Sequence, residues 1–365
     1  MSGDRPRQGP CLTERTVLRA NSSPSWRDPR RPRLGGSGAS DEHRCTGRPY
    51  RRAADTLSGV SSPRLLAWRP DPAADATAIE EHLRANTDSG DRSLTSIAAL
   101  STATARPREL AAATVVAATL AGGADASAPL TDAMIDIAVA VELVEVGTEC
   151  HDDVIGQVTT RFGEATANHV HGDLQAILAG DFLIARASEL AAAHGTEIAS
   201  ELATTIGWLC EGRHRELDAA PDTSTRLENL RLRTARLHRS AMRIGALFAG
   251  ADAETEATLA DAGEELGMAL AIEADARRFA LGDPSIERTA VDDLVAGRWT
   301  VPATLVDEPM PGDRAGWRSW HADAVASGVV DEALDMARER LEAAVAALGA
   351  VDAHPLLDLL PTPSA

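Results

Sequence analysis

The sequence predicts an all-α protein, and three observations point there. Aromatic residues make up only 3% of the chain while hydrophobic residues reach 44%, so the core must be assembled from Ala, Leu, Val and Ile. Small aliphatic side chains suit closely packed helices, whereas sheets favour aromatic and β-branched residues. Apolar residues also recur at spacings of three and four, most clearly at Val330, Leu334, Ala337, Leu341, Val345 and Leu348, and no run alternates convincingly at period two.

The elements follow in order. Helices are expected over 78–86 and 94–121, the second broken near Pro107 because proline disrupts a helix interior. The Gly122-Gly123 pair ends that segment. A long helix over 130–156 opens on Thr131 as its N-cap. Further helices are expected over 169–193, 196–219, 224–250, 254–280 and 289–297, ahead of the amphipathic stripe that begins at Val330. Together they describe one helical domain over 76–365.

Residues 1–75 read differently. The first 70 residues carry 14 arginines against six acids, are rich in Pro, Ser and Gly, and show no helical or strand period. Such a segment buries too little apolar surface to offset its ordering entropy, so a disordered Arg-rich extension is expected. The whole chain is nonetheless acidic, at net charge −19, which argues against nucleic acid as a partner because phosphate backbones attract basic faces. All 36 basic residues are arginine, so any cationic side chain that meets a phosphate must use a guanidinium. Cys11, Cys45, Cys150 and Cys210 are scattered without a Cys-x-x-Cys pair, which indicates neither a zinc site nor a disulfide framework. The N-terminus lacks an apolar signal region, and the longest apolar run, Leu110 to Gly122, is too short to span a bilayer. A soluble, cytoplasmic protein with no transmembrane segment is expected.

The stretch that carries chemistry is His151-Asp152-Asp153-Val154-Ile155-Gly156, followed by Arg161-Phe162-Gly163. Two adjacent carboxylates with a downstream arginine suit a divalent cation and a diphosphate. A further carboxylate at position 156 would share the face of Asp152, but glycine stands there. Glu145, Glu149 and Asp153 form an acidic stripe at four-residue steps on the same helix. Glu149 is a candidate substitute for the missing acid, although charge stripes on helices more commonly face water.

Several segments in order resemble one family. Ala140-Val141-Glu142-Leu143 leads into the aspartate pair, then come Thr166-x-Asn168 and Leu178-Ala179-Gly180-Asp181-Phe182-Leu183. Glu211-Gly212, Arg233-Thr234-Ala235, Leu266-Gly267-Met268-Ala269, Asp293-Leu294 and Gly297-Arg298-Trp299-Thr300-Val301-Pro302 follow. In this order they resemble the trans-isoprenyl diphosphate synthases, the polyprenyl synthetase family, over residues 78–361.

The resemblance implies an isoprenoid-synthase-type helical bundle. It further implies condensation of isopentenyl diphosphate with an allylic diphosphate, dependent on Mg2+, in a homodimer or a heterodimer with a related synthase. By that resemblance Asp152, Asp153, Arg233 and Thr234 are catalytic, and Arg161, Arg108, Arg298 and His151 bind substrate diphosphates. Asp152, Asp153 and Asp275 would be the metal ligands.

The kit is eroded, however. Gly156 and Phe162 replace an Asp and an Arg of the first motif. The second motif aligns with Ala274-Asp275-Ala276-Arg277-Arg278, which keeps one acid and sets Arg278 where a ligand belongs. Arg277 and Arg278 could instead grip a diphosphate, or serve as ordinary ion-pair residues. Gly147 and Thr148, small residues one turn before the pair, would leave an apolar tail tunnel open. The alternatives are a weak or inactive paralogue acting as the regulatory subunit of an active synthase and, with less support, a class I terpene cyclase.

Overall fold

The computed structural model describes residues 71–103, 108–122, 128–217, 222–282, 288–308 and 311–349. The arginine-rich segment 1–70 lies outside them. The first helix, α1, spans Pro72–Ala85, with Asp71 accepting the Ala74 N–H as its cap, so helix begins before the expected boundary at 76. Then come α2 (Arg92–Thr102) and α3 (Glu109–Leu120), separated where the sequence predicted a break; Pro107 itself is outside the described residues.

The long helix α4 runs Asp132–Gly156, capped by the Thr131 hydroxyl on Met134 N. It is buried nearly all round, from Met134 through Cys150, which is the pattern of a helix at the centre of a bundle. One acid lies in that interior. Glu142 accepts the backbone N–H groups of Leu110 and Ala111, both at 3.0 Å, and so caps α3, whose own N-cap residue Arg108 makes no side-chain cap bond.

Past α4 the chain makes a short hairpin, β1 (Thr160–Arg161) and β2 (Glu164–Ala165), antiparallel with Arg161 opposite Glu164. Its two-residue loop has φ of 51° at Phe162 and 82° at Gly163, the pair of positive values a type I′ turn needs. Glycine adopts such a φ freely, but a bulky aromatic residue does not. Phe162→Asn is therefore expected to raise stability by about 1 kcal/mol, read from urea unfolding midpoints. A destabilised variant would mean that Phe162 contributes more by packing than its turn conformation costs.

Two helices, α5 (Ala167–His171) and α6 (Asp173–Ala193), follow, parted at Gly172. Next are α7 (Thr196–Leu217) and α8 (Thr223–Leu230), which runs through a π turn over Arg231–Ala235 into α9 (Arg236–Ala249). The remainder comprises α10 (Ala253–Leu281), α11 (Ala290–Val295), α12 (Val301–Thr304), α13 (Arg314–Ser327) and α14 (Val329–Gly349). The sequence reading did not predict the hairpin, α12 or α13.

Helix α4 packs on α6 and α3, α9 lies between α3 and α10, and α14 covers α10. The core is aliphatic and alanine-rich, as the composition required. Small residues set the closest approach. A Cβ added at Gly147 would meet the Gly180 carbonyl at 2.8 Å, and one added at Gly180 would meet His151 Nε2 at 2.5 Å. The smallness of position 147, expected to open a tail tunnel, is thus taken up by the backbone of α6.

Candidate active site

The final turn of α4 presents Asp152 and Asp153 to different partners. Asp152 faces α7 and the π turn. Arg213 Nε donates to its Oδ1 at 2.6 Å, and Arg233 donates through Nη2 to its Oδ2. Both arginines then reach Glu216: Arg213 Nη1 lies 2.8 Å and Arg233 Nη1 2.7 Å from Glu216 Oε2. The other oxygen of Glu216 accepts Arg226 Nη1 at 2.8 Å. Arg226 in turn clasps Asp275 with both prongs, Nε to Oδ2 at 2.8 Å and Nη2 to Oδ1 at 2.7 Å. One unbroken ion-pair network therefore joins the first acidic motif on α4 to the second on α10.

Local structure explains how the network is assembled. Arg213 and Glu216 sit three residues apart on α7, on one helical face. The π turn, closed by the Arg236 N–H onto the Arg231 carbonyl, carries Arg233 and Thr234, and π turns frequently mark functional positions. Gly212 makes room for it, since a Cβ there would stand 2.7 Å from Arg233 Cγ. Asp275 is also held by the Val301 N–H at 2.9 Å, which is delivered by the first residue of α12 after the Gly297–Thr300 loop.

The charge arrangement tunes Glu216. Burial pushes its carboxyl up, but Arg233, Arg226 and Arg213 outweigh that and hold it at about 2, against an ordinary 4.5. A folded-state value below the unfolded one adds stability that is complete above about pH 4.5 and is lost as the pH falls through 2. The contribution is of order 3 kcal/mol. Acid unfolding followed by circular dichroism should show that loss between pH 4.5 and 2, and Glu216→Gln should flatten it. An identical acid profile in the variant would contradict the assignment.

Asp153 points elsewhere. Arg161 of the hairpin donates to it through Nε at 3.1 Å and through Nη2, and also approaches Glu149 at 3.5 Å. Burial nevertheless raises the Asp153 carboxyl above its ordinary range, despite the Arg161 guanidinium. These residues, with Cys150, Thr166 and Asn168, line a small cavity below the hairpin, and burial pushes the Cys150 thiol up to about 12. At Gly156, where a further acid would complete the motif, Arg288 donates to the carbonyl at 2.6 Å; a Cβ there would stand 3.9 Å from its guanidinium nitrogens.

The remaining expected residues, Arg278 apart, find partners outside this network. His151 Nε2 lies 3.2 Å from the Ile177 carbonyl and 3.3 Å from Asp181, against α6. Arg108 is buried, with Nε 2.6 Å from Glu80 and Nη2 2.8 Å from the Thr102 carbonyl. Arg298 pairs with Asp293 at 2.7 Å. The Thr234 carbonyl accepts from His238 Nδ1 at 2.9 Å. Arg277 pairs with Glu273 on its own helix, whereas Arg278 comes within 3.9 Å of Asp275. Arg213, Glu216 and Arg226 escaped the sequence reading altogether.

The expected metal ligands all meet arginine. Magnesium requires carboxylate oxygens free to complete an octahedron. Here Asp152, Asp153 and Asp275 each accept from arginine, and among the described residues no three His, Cys, Asp or Glu side chains are grouped to hold an ion. The donor set as arranged does not fit the cation. Guanidiniums of Arg213, Arg233, Arg161 and Arg226 take up those oxygens instead, and such groups bind carboxylates bidentately.

The polyprenyl synthetase family model matches residues 96–333. Octaprenyl diphosphate synthase of Escherichia coli (strain K12) is 29% identical over 176 residues, covering 47% of this chain and 54% of the relative. A probable mitochondrial hexaprenyl pyrophosphate synthase of Neurospora crassa is 34% identical over 182 residues, covering 47% and 40%. The chain thus matches about half the length of these curated relatives. Among solved structures, a polyprenyl synthase from Caulobacter crescentus CB15, complexed with calcium and isoprenyl diphosphate, superposes with a TM-score of 0.71. It is 27% identical, with 83% of this chain and 97% of that chain covered. Heptaprenyl diphosphate synthase from Staphylococcus aureus gives a TM-score of 0.71 at 22% identity, over 79% and 96%. With a family match over most of its helical body, this chain belongs to the polyprenyl synthetase family.

Proposed function

We propose that this chain is an isoprenyl diphosphate synthase-like prenyltransferase that condenses isopentenyl diphosphate with an allylic diphosphate. The observation that carries the reading is the convergence of Arg213, Arg226 and Arg233 on Glu216, between the two acidic motifs. In such a reaction the allylic C–O bond breaks and its electron pair leaves on the diphosphate. The double bond of isopentenyl diphosphate then attacks the carbocation, and a proton is lost. The leaving diphosphate needs positive charge where its own charge grows, and preorganised guanidiniums supply it. Magnesium, implied by the family resemblance, would have to displace a guanidinium from each carboxylate it ligated, so no step is assigned to it.

A second reading is a weak or inactive paralogue that regulates an active synthase. It is favoured by the same network, because Asp152 and Asp275 are already occupied by arginine. A terpene cyclase has less behind it, as Asp275 is followed by Ala276, Arg277, Arg278 and Phe279 instead of further polar metal ligands. Purified protein given isopentenyl diphosphate and allylic diphosphates of several lengths separates the three. Linear prenols after phosphatase treatment support the transferase, and cyclic hydrocarbons the cyclase. Absence of turnover, with co-purification of an intact synthase, supports the regulatory subunit.

The reading includes a dimer, either of this chain or with a related synthase. Leu174, Ile177 and Leu178 share a face of α6 and are exposed, with Leu174 at 68%. Leu178→Arg is expected to shift the protein to monomer in sedimentation velocity; an unchanged sedimentation coefficient would place the interface elsewhere. No described helix is long and apolar enough to cross a membrane.

A further inference from the structure

A buried imidazole outside the ion-pair network stands directly below it. His238 lies in the first turn of α9, one helical turn past Thr234, and is only 6% exposed. Its Nδ1 is 2.9 Å from the Thr234 carbonyl, an oxygen that can only accept, so Nδ1 carries the proton of the neutral ring. Nε2 then presents a bare lone pair, and it is buried with no hydrogen-bond partner. An orphaned acceptor destabilises the fold, so packing alone would favour an aliphatic side chain here.

The surroundings fix the ring in place and keep it neutral. On α10, a Cβ added at Gly267 would stand 2.9 Å from His238 Cβ, 3.1 Å from its Cγ and 2.7 Å from Ala235 Cα. One added at Gly263 would stand 2.7 Å from the His238 carbonyl. These glycines are four residues apart on one face, and they let the π turn and the start of α9 lie on the backbone of α10. From α4 the charged group facing the ring is Glu145, two turns below Asp152 on the same face. Burial holds the imidazole below its ordinary 6.5, although the Thr234 carbonyl and Glu145 both favour the cation. The Thr234 carbonyl belongs to the turn that aims Arg233 at Asp152 and Glu216.

We infer that His238 is a positioning residue: its neutral imidazole pins the Thr234 carbonyl and so holds Arg233 and Thr234 of the π turn in place for the reaction. The inference rests on the prenyltransferase reading and adds a residue to it. A second proton would have to sit on Nε2, buried without an acceptor, so acid should loosen this turn.

Hydrogen exchange over Arg231–Ala235 and steady-state kinetics, both on the full chain, test it in His238→Leu and His238→Asn. Leucine fills the space without a donor; exchange should quicken about tenfold and kcat fall about tenfold, with KM changed less than about twofold. Asparagine places an N–H where Nδ1 stands and should rescue both to within about threefold. The unfolding midpoint of the unaltered chain should fall as the pH drops below 6.5, because the folded ring resists the proton that the unfolded ring accepts, and His238→Asn should remove that fall. Leucine equal to histidine in exchange and kcat would overturn the inference. Equal losses in both variants would reduce His238 to packing and overturn it too. No turnover in any of the three proteins would overturn the prenyltransferase reading, and the exchange pattern would still decide whether His238 holds the turn.

Discussion

Arg226→Met is expected to lower the stability of the fold by about 3–5 kcal/mol, the range for removing one partner of a buried ion pair. Arg226 and Asp275 have side-chain exposures of only 9% and 3%. Without the guanidinium, the Asp275 carboxylate keeps the Val301 N–H at 2.9 Å and the more distant Arg278. Glu216 loses its Oε1 donor at the same time. The penalty is therefore desolvation of an acid left poorly compensated, not the net worth of the pair. Removing both charges, in Arg226→Met with Asp275→Leu, should recover most of the loss, because a buried pair exchanged for apolar groups is frequently neutral. Urea unfolding followed by circular dichroism reads both variants. A single-variant loss below about 1 kcal/mol would show that water reaches the pair and that the network is not a buried bridge.

Arg233→Ala carries the largest expected effect on turnover. Arg233 links Asp152 to Glu216 from the π turn, and Gly212 clears the path of its side chain. Loss of one preorganised donor at a developing oxyanion typically lowers kcat by about 10²–10³-fold. The same fall is expected here in steady-state product formation. Arg233→Lys keeps the charge but not the two-pronged geometry, so an intermediate rate is expected. Equal rates for Arg233→Ala and the unaltered chain would remove Arg233 from the machinery.

Long elements were legible from the sequence because their signals are local. The Thr131 cap, the 25 residues of α4 and the stripe of α14 depend on residues within a few turns of each other. The hairpin was not legible: each strand has two residues, too few to display a period, and its turn places Phe162 where Asn or Gly is usual. The π turn is hidden for a similar reason, since one extra residue in a continuous helical pattern leaves no compositional mark.

Asp152 and Asp153 were legible as a motif and Asp275 through the family resemblance, but their partners were not. Arg213 lies 61 residues from Asp152, and Arg226 lies 49 residues from Asp275. Only packing of α7 and α8 against α4 and α10 brings these charges together. One signal was available beforehand. Lysine is absent and arginines crowd the stretch from Arg213 to Arg243, an unusual density beside two acidic motifs. Arg108 and Arg298 also found partners that no motif announced, in Glu80 and Asp293.

The central claim is that a prenyl transfer reaction runs on this guanidinium-lined site. It is tested most directly by extracting and identifying the products formed from isopentenyl diphosphate and a series of allylic diphosphates by the unaltered chain and by Arg233→Ala. Linear prenyl products from the first, reduced about a hundredfold or more in the second, are the predicted result. No product from any allylic diphosphate, or equal yields from both proteins, would contradict it.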